Sequence, residues 1–184
     1  MDEENFSKQF YDIKLDPVEY DKTRETKVQE IRINSSGKLN EPKIAFANTE
    51  VLEDNIIKSL RGNPNLGFER YQNLSSILKQ VREEDTDILL FPEFFIPINL
   101  LSSIVRYSEK NQLLTVTGLE HITIDETAFN FIVTILPVEN NGIKDAVVVF
   151  RLKNHYAHIE ESLITGNHLI VPKPTPYRYD IFIW

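Results

Sequence analysis

Asp87-Ile-Leu-Leu-Phe-Pro-Glu93 is the stretch on which the fold turns. Four apolar residues run unbroken into Pro92, and an acid follows at once. A short apolar run without alternation suits a strand buried on both faces, as in a parallel or mixed sheet beneath helices. Proline cannot donate to a ladder, so the strand must stop near Pro92. Glu93 is therefore expected at the carboxyl end of a core strand, where open α/β sheets gather their chemistry. Among Phe91, Phe94, Phe95 and Ile96 its carboxylate would be partly desolvated, and desolvation raises an acid's pKa toward proton-transfer values. The alternative for the same position is a solvated acid in a strand-to-helix loop.

Upstream, Lys43-Ile-Ala-Phe-Ala-Asn48 reads as a compact strand, and Arg61-Gly-Asn-Pro-Asn-Leu-Gly67 as a polar, Gly/Pro-rich passage. Tyr71, Leu74, Ile77, Leu78 and Val81 then recur at helical spacing, with Lys79, Arg82, Glu83 and Glu84 elsewhere, which predicts an amphipathic helix. Downstream, Ile98 to Lys110 predicts a second helix with Leu101, Ile104, Val105 and Ser108 turned inward. Leu113-Leu-Thr-Val-Thr-Gly118 is a strand ended by glycine. Strand, helix, strand, helix, strand implies parallel pairing through right-handed crossovers. Phe129 to Val138 and Ala146 to Leu152 are β-rich runs joined by Glu139-Asn-Asn-Gly142, a good hairpin turn. The expectation is an α/β domain over 43–184 whose mixed sheet is parallel first and antiparallel later. Residues 1–42 have a different character. They are charge-rich, and Phe6, Phe10, Tyr11 and Tyr20 are scattered without a stripe. Thr26 to Ile33 could form a strand ending at Asn34-Ser-Ser-Gly37, and the region reads as an N-terminal extension or linker. No internal repeat or low-complexity tract is visible.

At 184 residues the chain can hold one domain with a real core. Its 41% hydrophobic and 26% charged content is that of an ordinary soluble globular protein. A net charge of -8 argues against a general nucleic-acid-binding surface. There is no cysteine, so these residues contain no disulfide framework and no thiolate metal site. Met1-Asp-Glu-Glu-Asn is acidic where a signal peptide would be basic and then apolar. The apolar region Ile88 to Val105 is broken by Pro92, Glu93, Pro97, Asn99 and two serines, which argues against a membrane span. A cytoplasmic location is the expectation.

Lys153 is the second residue of interest. It stands directly after Val147-Val-Val-Phe-Arg-Leu152, at the end of a buried strand, where an ammonium can steady a developing oxyanion in a water-poor cleft. It can equally be a strand-ending charge that points to water. Glu160 and Glu161 follow closely enough in the chain to be its partners.

Taken together, the β-α-β unit ending in Phe-Pro-Glu93, the strand ending Thr-Gly118-Leu-Glu120, Phe129-Asn130 opening a strand, an Asn-Gly turn, and Phe150-Arg-Leu-Lys153-Asn-His155 with a glutamate beyond resemble the carbon–nitrogen hydrolase (nitrilase) superfamily. The resemblance covers roughly 43–170. It implies an α-β-β-α sandwich, present here as its first half. Glu93 would be the general base and Lys153 the stabiliser of the tetrahedral intermediate. Glu160 or Glu161 would be the second glutamate that positions substrate and base, with His155 and Asn130 also at the substrate site. It implies no cofactor and no metal, a small-molecule substrate of the amide, nitrile or carbamoyl class, and a homo-oligomer.

The departure from the pattern is the missing cysteine nucleophile, which the family carries on a sharp turn after the strand that follows the lysine loop. Asp180 to Trp184 reads as a strand just beginning, so the chain is expected to be the amino-terminal part of a longer domain. A second expectation, of another class, is a catalytically silent nitrilase-like binding domain of a larger protein. One such arrangement is fusion to an antiphage reverse transcriptase, in which case nucleic acid would be met only through the fused module.

Other chemistries have less in their favour. His155-Tyr-Ala-His158-Ile-Glu160 has a spacing that could hold a metal on a helix, but no further ligand is obvious. Glu93 with Glu160 or Glu161 could serve a glycosidase only at a suitable carboxyl separation. There is no Gly-rich phosphate loop and no G-x-S-x-G elbow. Tyr177, Tyr179, Phe182 and Trp184 more simply mark core or interface than a base-stacking platform.

Overall fold

In the computed structural model the backbone is described for residues 14–16, 30–32, 41–173 and 179–183, with side chains for 41–139 and 141–173. The strands in chain order are β1 (Lys14–Asp16), β2 (Glu30–Arg32), β3 (Ile44–Phe46), β4 (Ile88–Leu90), β5 (Leu114–Gly118), β6 (Ile122–Ile124), β7 (Thr127–Phe129), β8 (Phe131–Asn140), β9 (Ile143–Leu152) and β10 (Tyr179–Ile183). The helices are α1 (Glu53–Leu60), α2 (Phe68–Glu83), α3 (Ile98–Asn111) and α4 (His158–Gly166). A six-stranded sheet of order β10-β9-β8-β5-β4-β3 organises the chain. β3, β4 and β5 pair in parallel, and β5, β8, β9 and β10 pair antiparallel, so the sheet is mixed as expected.

The β8–β9 hairpin carries the longest ladder, closing at Asn140 opposite Ile143. Asn141 and Gly142 both take positive φ, 52° and 80°, the pair of left-handed residues that a two-residue turn needs to match strand twist. β1 and β2 pair with each other and stand outside the six-stranded sheet. The expected strand Thr26–Ile33 contains β2, whereas the turn Asn34–Gly37 lies outside the described residues.

α2 and α3 cover one face of the sheet. Leu74 and Val81 of α2 and Leu100, Leu101, Ile104 and Val105 of α3 pack with Leu89, Val133, Ile135, Ala146 and Val148 into the main core. The Leu, Ile and Val side chains among them contribute roughly 1.5–3 kcal/mol each when fully buried. The inward residues expected of α3 are all buried, and Ser108 is satisfied there by the Thr115 hydroxyl at 2.8 Å. Tyr71 departs from the expected stripe of α2: it is exposed, and the inward place one turn before Leu74 belongs to Arg70. The strand at Asp87–Glu93 also departs in part, since Leu89 is fully buried but Ile88 and Leu90 are half-buried.

β1, α1, α4 and the β6–β7 hairpin were not foreseen. α1 lies between β3 and the Gly/Pro passage, and the short β6–β7 hairpin turns at Asp125 and Glu126, both with positive φ. Ser59 and Thr123 pin them together, the Ser59 hydroxyl donating to His121 O and the Thr123 hydroxyl to Leu60 O. With α4 they enclose a second cluster of Leu60, Ala128 and Ile164. Because β7 ends at Phe129, Asn130 is the link into β8 and, contrary to expectation, does not open a strand.

Candidate active site

Topology alone brings the site together. β4 and β5 run parallel and end at one rim; β8 starts there because it is antiparallel to β5, and β9 ends there because it is antiparallel to β8. The residues following β4, β5 and β9, and the one preceding β8, therefore meet. They are Glu93, Glu120 with His121, Lys153, and Asn130.

Lys153 Nζ lies 2.7 Å from Glu160 Oε2 and 3.2 Å from Glu93 Oε1. It also stands 5.1 Å from the centre of the Phe94 ring and 5.5 Å from that of Tyr156, close enough for cation–π attraction. Burial works to lower the pKa of Lys153, but the hydrogen bond and charge of Glu160, then those of Glu93, outweigh it and hold the ammonium above its ordinary value. Burial likewise works to raise Glu160, and the hydrogen bonds from His121 and Lys153 reverse the sign, leaving it below the usual carboxylate range. His121 Nε2 is 3.1 Å from Glu160 Oε1, and its ring stacks on Phe94 at 4.9 Å. Lys153 is thus a fixed cation with 16% of its side chain exposed, gripped by one buried carboxylate and one more open one.

The loop bearing Glu93 is held in an unusual shape. Phe94 has φ of 56°, a left-handed conformation that costs a bulky residue of order 1–3 kcal/mol and persists only where its surroundings impose it. Gly118 imposes part of it: a Cβ there would sit 2.7 Å from Glu93 Cα, so only glycine lets the loop lie this close on the end of β5. Ile96 N–H donates to Gly118 O, and Glu120 N–H donates to Ile96 O, continuing the parallel pairing past the strand ends.

Glu93 therefore reaches Lys153, as its motif suggested, but not by burial among phenylalanines. Its side chain is 51% exposed. Phe91 and Ile96 turn into the main core instead, so they enclose the loop's backbone and leave the carboxylate outside. The strongly desolvated acid is Glu120, 1% exposed, whose burial pushes its pKa up to about 7 against the opposing charge of Arg70.

Of the two candidate glutamates, Glu160 faces the lysine. Glu161, the next residue of α4, points elsewhere and lies 3.7 Å from His158. His155 is exposed and, with Glu161, lines an open depression together with Asn154, Tyr156, Val171, Pro172 and Lys173. The His155, His158 and Glu160 side chains thus do not share a centre, and the described residues contain no group of three or more His, Cys, Asp or Glu placed to hold a metal ion. Asn130 is fully buried and works through its backbone as much as its amide. Its Nδ2 donates to Leu119 O at 2.8 Å, its carbonyl accepts from Lys153 N–H, and its own N–H donates to the Tyr156 hydroxyl. It fixes where Lys153 leaves β9. Tyr156, pushed up to about 12 by burial, stays protonated.

His121, Tyr156, Phe94 and Arg70 were missed as site residues. Arg70 had a legible signal: it sits four residues before Leu74, in line with the apolar stripe. The others had none, because their roles depend on which loops meet. The nucleophile expected after the strand that follows the lysine loop meets a geometric obstacle. β10 pairs antiparallel with β9, Tyr179 beside Arg151 and Ile183 beside Val147, so its carboxyl end lies at the opposite end of the sheet from Lys153.

No helix among the described residues is long and apolar enough to cross a membrane. Comparison with protein-family models, with curated proteins and with solved structures finds no match to this chain.

Proposed function

We propose that Glu93, Lys153 and Glu160 are the acid–base and oxyanion half of a carbon–nitrogen hydrolase site of the nitrilase type, acting on amides, nitriles or carbamoyl groups. One observation carries this reading: residues sixty apart in the chain bring Lys153 Nζ to 3.2 Å from Glu93, while Glu160 holds the same nitrogen from the other side. The mixed sheet with α2 and α3 on one face corresponds to the first helix–sheet pair of an α-β-β-α sandwich. The second sheet would be supplied by further chain.

The division of labour follows from the environment of each group. Glu93, open enough to meet a substrate, takes the proton of a cysteine thiol supplied from beyond these 184 residues, which contain none. The thiolate adds to the substrate carbon, and Lys153 stabilises the charge that collects on the substrate oxygen or nitrogen. Glu93 returns the proton to the departing amine, and the same carboxylate then deprotonates the water that cleaves the thioester and frees the thiol. Glu160 stays on Lys153, held from its other oxygen by His121, and keeps the ammonium charged and aimed. A thiol joining them must arrive on an element that returns to this rim, such as a strand antiparallel to β10.

The chain runs along β10 away from Lys153, which favours a second reading, in which the same rim binds a small molecule without turning it over. Assay of the full-length protein against simple amides, nitriles and ureido compounds separates the two. Hydrolysis lost by a factor of about 10³ or more in Glu93→Gln and Lys153→Met supports the enzyme. Binding that survives Glu93→Gln, with no turnover in the unaltered protein, supports the silent domain.

A further inference from the structure

The buried pair Arg70–Glu120 takes no part in the chemistry above, yet it sits directly behind the loop that carries Glu93. Arg70 reaches from α2 with one guanidinium nitrogen 2.6 Å from Glu120 Oε1 and another donating to Phe95 O. Its guanidinium also lies 5.9 Å from the centre of the Phe95 ring. Glu120 completes the circuit, since its N–H donates to Ile96 O. The Arg70 side chain therefore ties α2 to the Phe95 carbonyl and to Glu120 at the end of β5, while the Glu120 backbone N–H holds the next carbonyl, that of Ile96. A buried ion pair is seldom better for stability than apolar residues of the same volume. Its presence here is better explained by what it locates, the strained turn at Phe94 next to Glu93.

We propose that Arg70 and Glu120 are positioning residues for Glu93, clamping the Phe95 carbonyl so that the Phe94 turn keeps the Glu93 carboxylate on Lys153. The proposal rests on the hydrolase reading only in giving that contact a catalytic use. Without the clamp the turn relaxes toward ordinary backbone, and Lys153 keeps Glu160 but loses its second carboxylate.

The test follows the reactivity of Lys153 in the full-length protein, using acetylation by an N-hydroxysuccinimide ester and peptide mass spectrometry, with exposed Lys58 and Lys79 as internal standards. An amine reacts as its free base, so losing a carboxylate that holds the ammonium charged should speed the reaction about three- to tenfold. Arg70→Gln and Glu120→Gln should each accelerate Lys153 by that factor and leave the standards unchanged. Arg70→Lys, which keeps a cation but not the fork, should restore part of the protection. In a Glu93→Gln background neither substitution should have any further effect, because the group they act through is gone.

Acceleration that persists undiminished in the Glu93→Gln background overturns the proposal, as does no acceleration in either single variant. Equal acceleration of every lysine in all three variants also overturns it, since the pair would then be serving the fold as a whole. The readout needs no turnover. A protein that hydrolyses nothing defeats the enzyme reading while leaving this proposal to be decided by Lys153.

Discussion

Replacing Gly118 by alanine should destabilise the protein although alanine is the better strand residue. The glycine does not need left-handed backbone; its φ is one that any residue adopts. In open space the substitution would reduce the freedom of the unfolded chain and stabilise by about 0.4–1 kcal/mol. The added methyl instead meets backbone, at 2.7 Å from Glu93 Cα, 3.3 Å from Phe94 N and 3.4 Å from Glu93 C. Carbon atoms rest at about 3.5–4.0 Å, so the loop must retreat by roughly 1 Å. Overpacking of this kind costs about 1–3 kcal/mol. For a chain of this size that is a Tm lower by roughly 2–12 °C. The same retreat draws Glu93 off Lys153, and a misplacement of about 1 Å can cost on the order of 10² in rate where the site turns over. Calorimetry and urea titration followed by near-ultraviolet circular dichroism measure the first effect; Lys153 acetylation measures the second. A Gly118→Ala protein with an equal or higher Tm and unchanged Lys153 reactivity would refute the reasoning.

The two acids on Lys153 should differ in their value to the fold. Glu93→Gln alters a half-exposed pair and should cost about 0–1 kcal/mol, whereas Lys153→Met strands the buried Glu160 and should cost about 3–5 kcal/mol; urea midpoints that rank the other way would contradict the geometry. Glu120 sets a pH slope. Its carboxyl is raised from 4.5 unfolded to about 7 folded, so its contribution is fullest below the unfolded value and declines by roughly 3 kcal/mol as pH climbs through the folded one. Glu120→Gln should flatten urea stability between about pH 5 and pH 8, and a slope that survives the substitution assigns it to another group. Glu160 works in the opposite sense: with its pKa depressed, its stabilisation is present above the unfolded value and is lost as pH falls through the folded one. Acid unfolding of Lys153→Met should accordingly show a shallower low-pH limb. Tyr156→Phe removes the acceptor of the Asn130 N–H and should cost about 1–3 kcal/mol, read as a lowered urea midpoint.

Local pattern was enough for the sheet's main members and their sense. Apolar runs closed by Pro92 and Gly118 locate β4 and β5, helical spacing locates α2 and α3, and Asn141-Gly142 fixes the hairpin, because each depends on near neighbours in the chain. β4, β5 and β9 end at one rim by their order and sense in the sheet; Glu93 and Lys153 were each named from a place at a strand end, and their meeting came from the resemblance. The sequence could not say that Glu160 rather than Glu161 takes the lysine, that His121 and Tyr156 complete its surroundings, or that Arg70 and Glu120 form a buried pair. Nor could it say which acid water reaches. Glu93 sits in an aromatic stretch and is half exposed, whereas Glu120 follows a glycine and a leucine and is sealed. Burial and charge pairing are set by which loops cross in space, and that is a property of the packed chain, with no trace in the spacing of its letters.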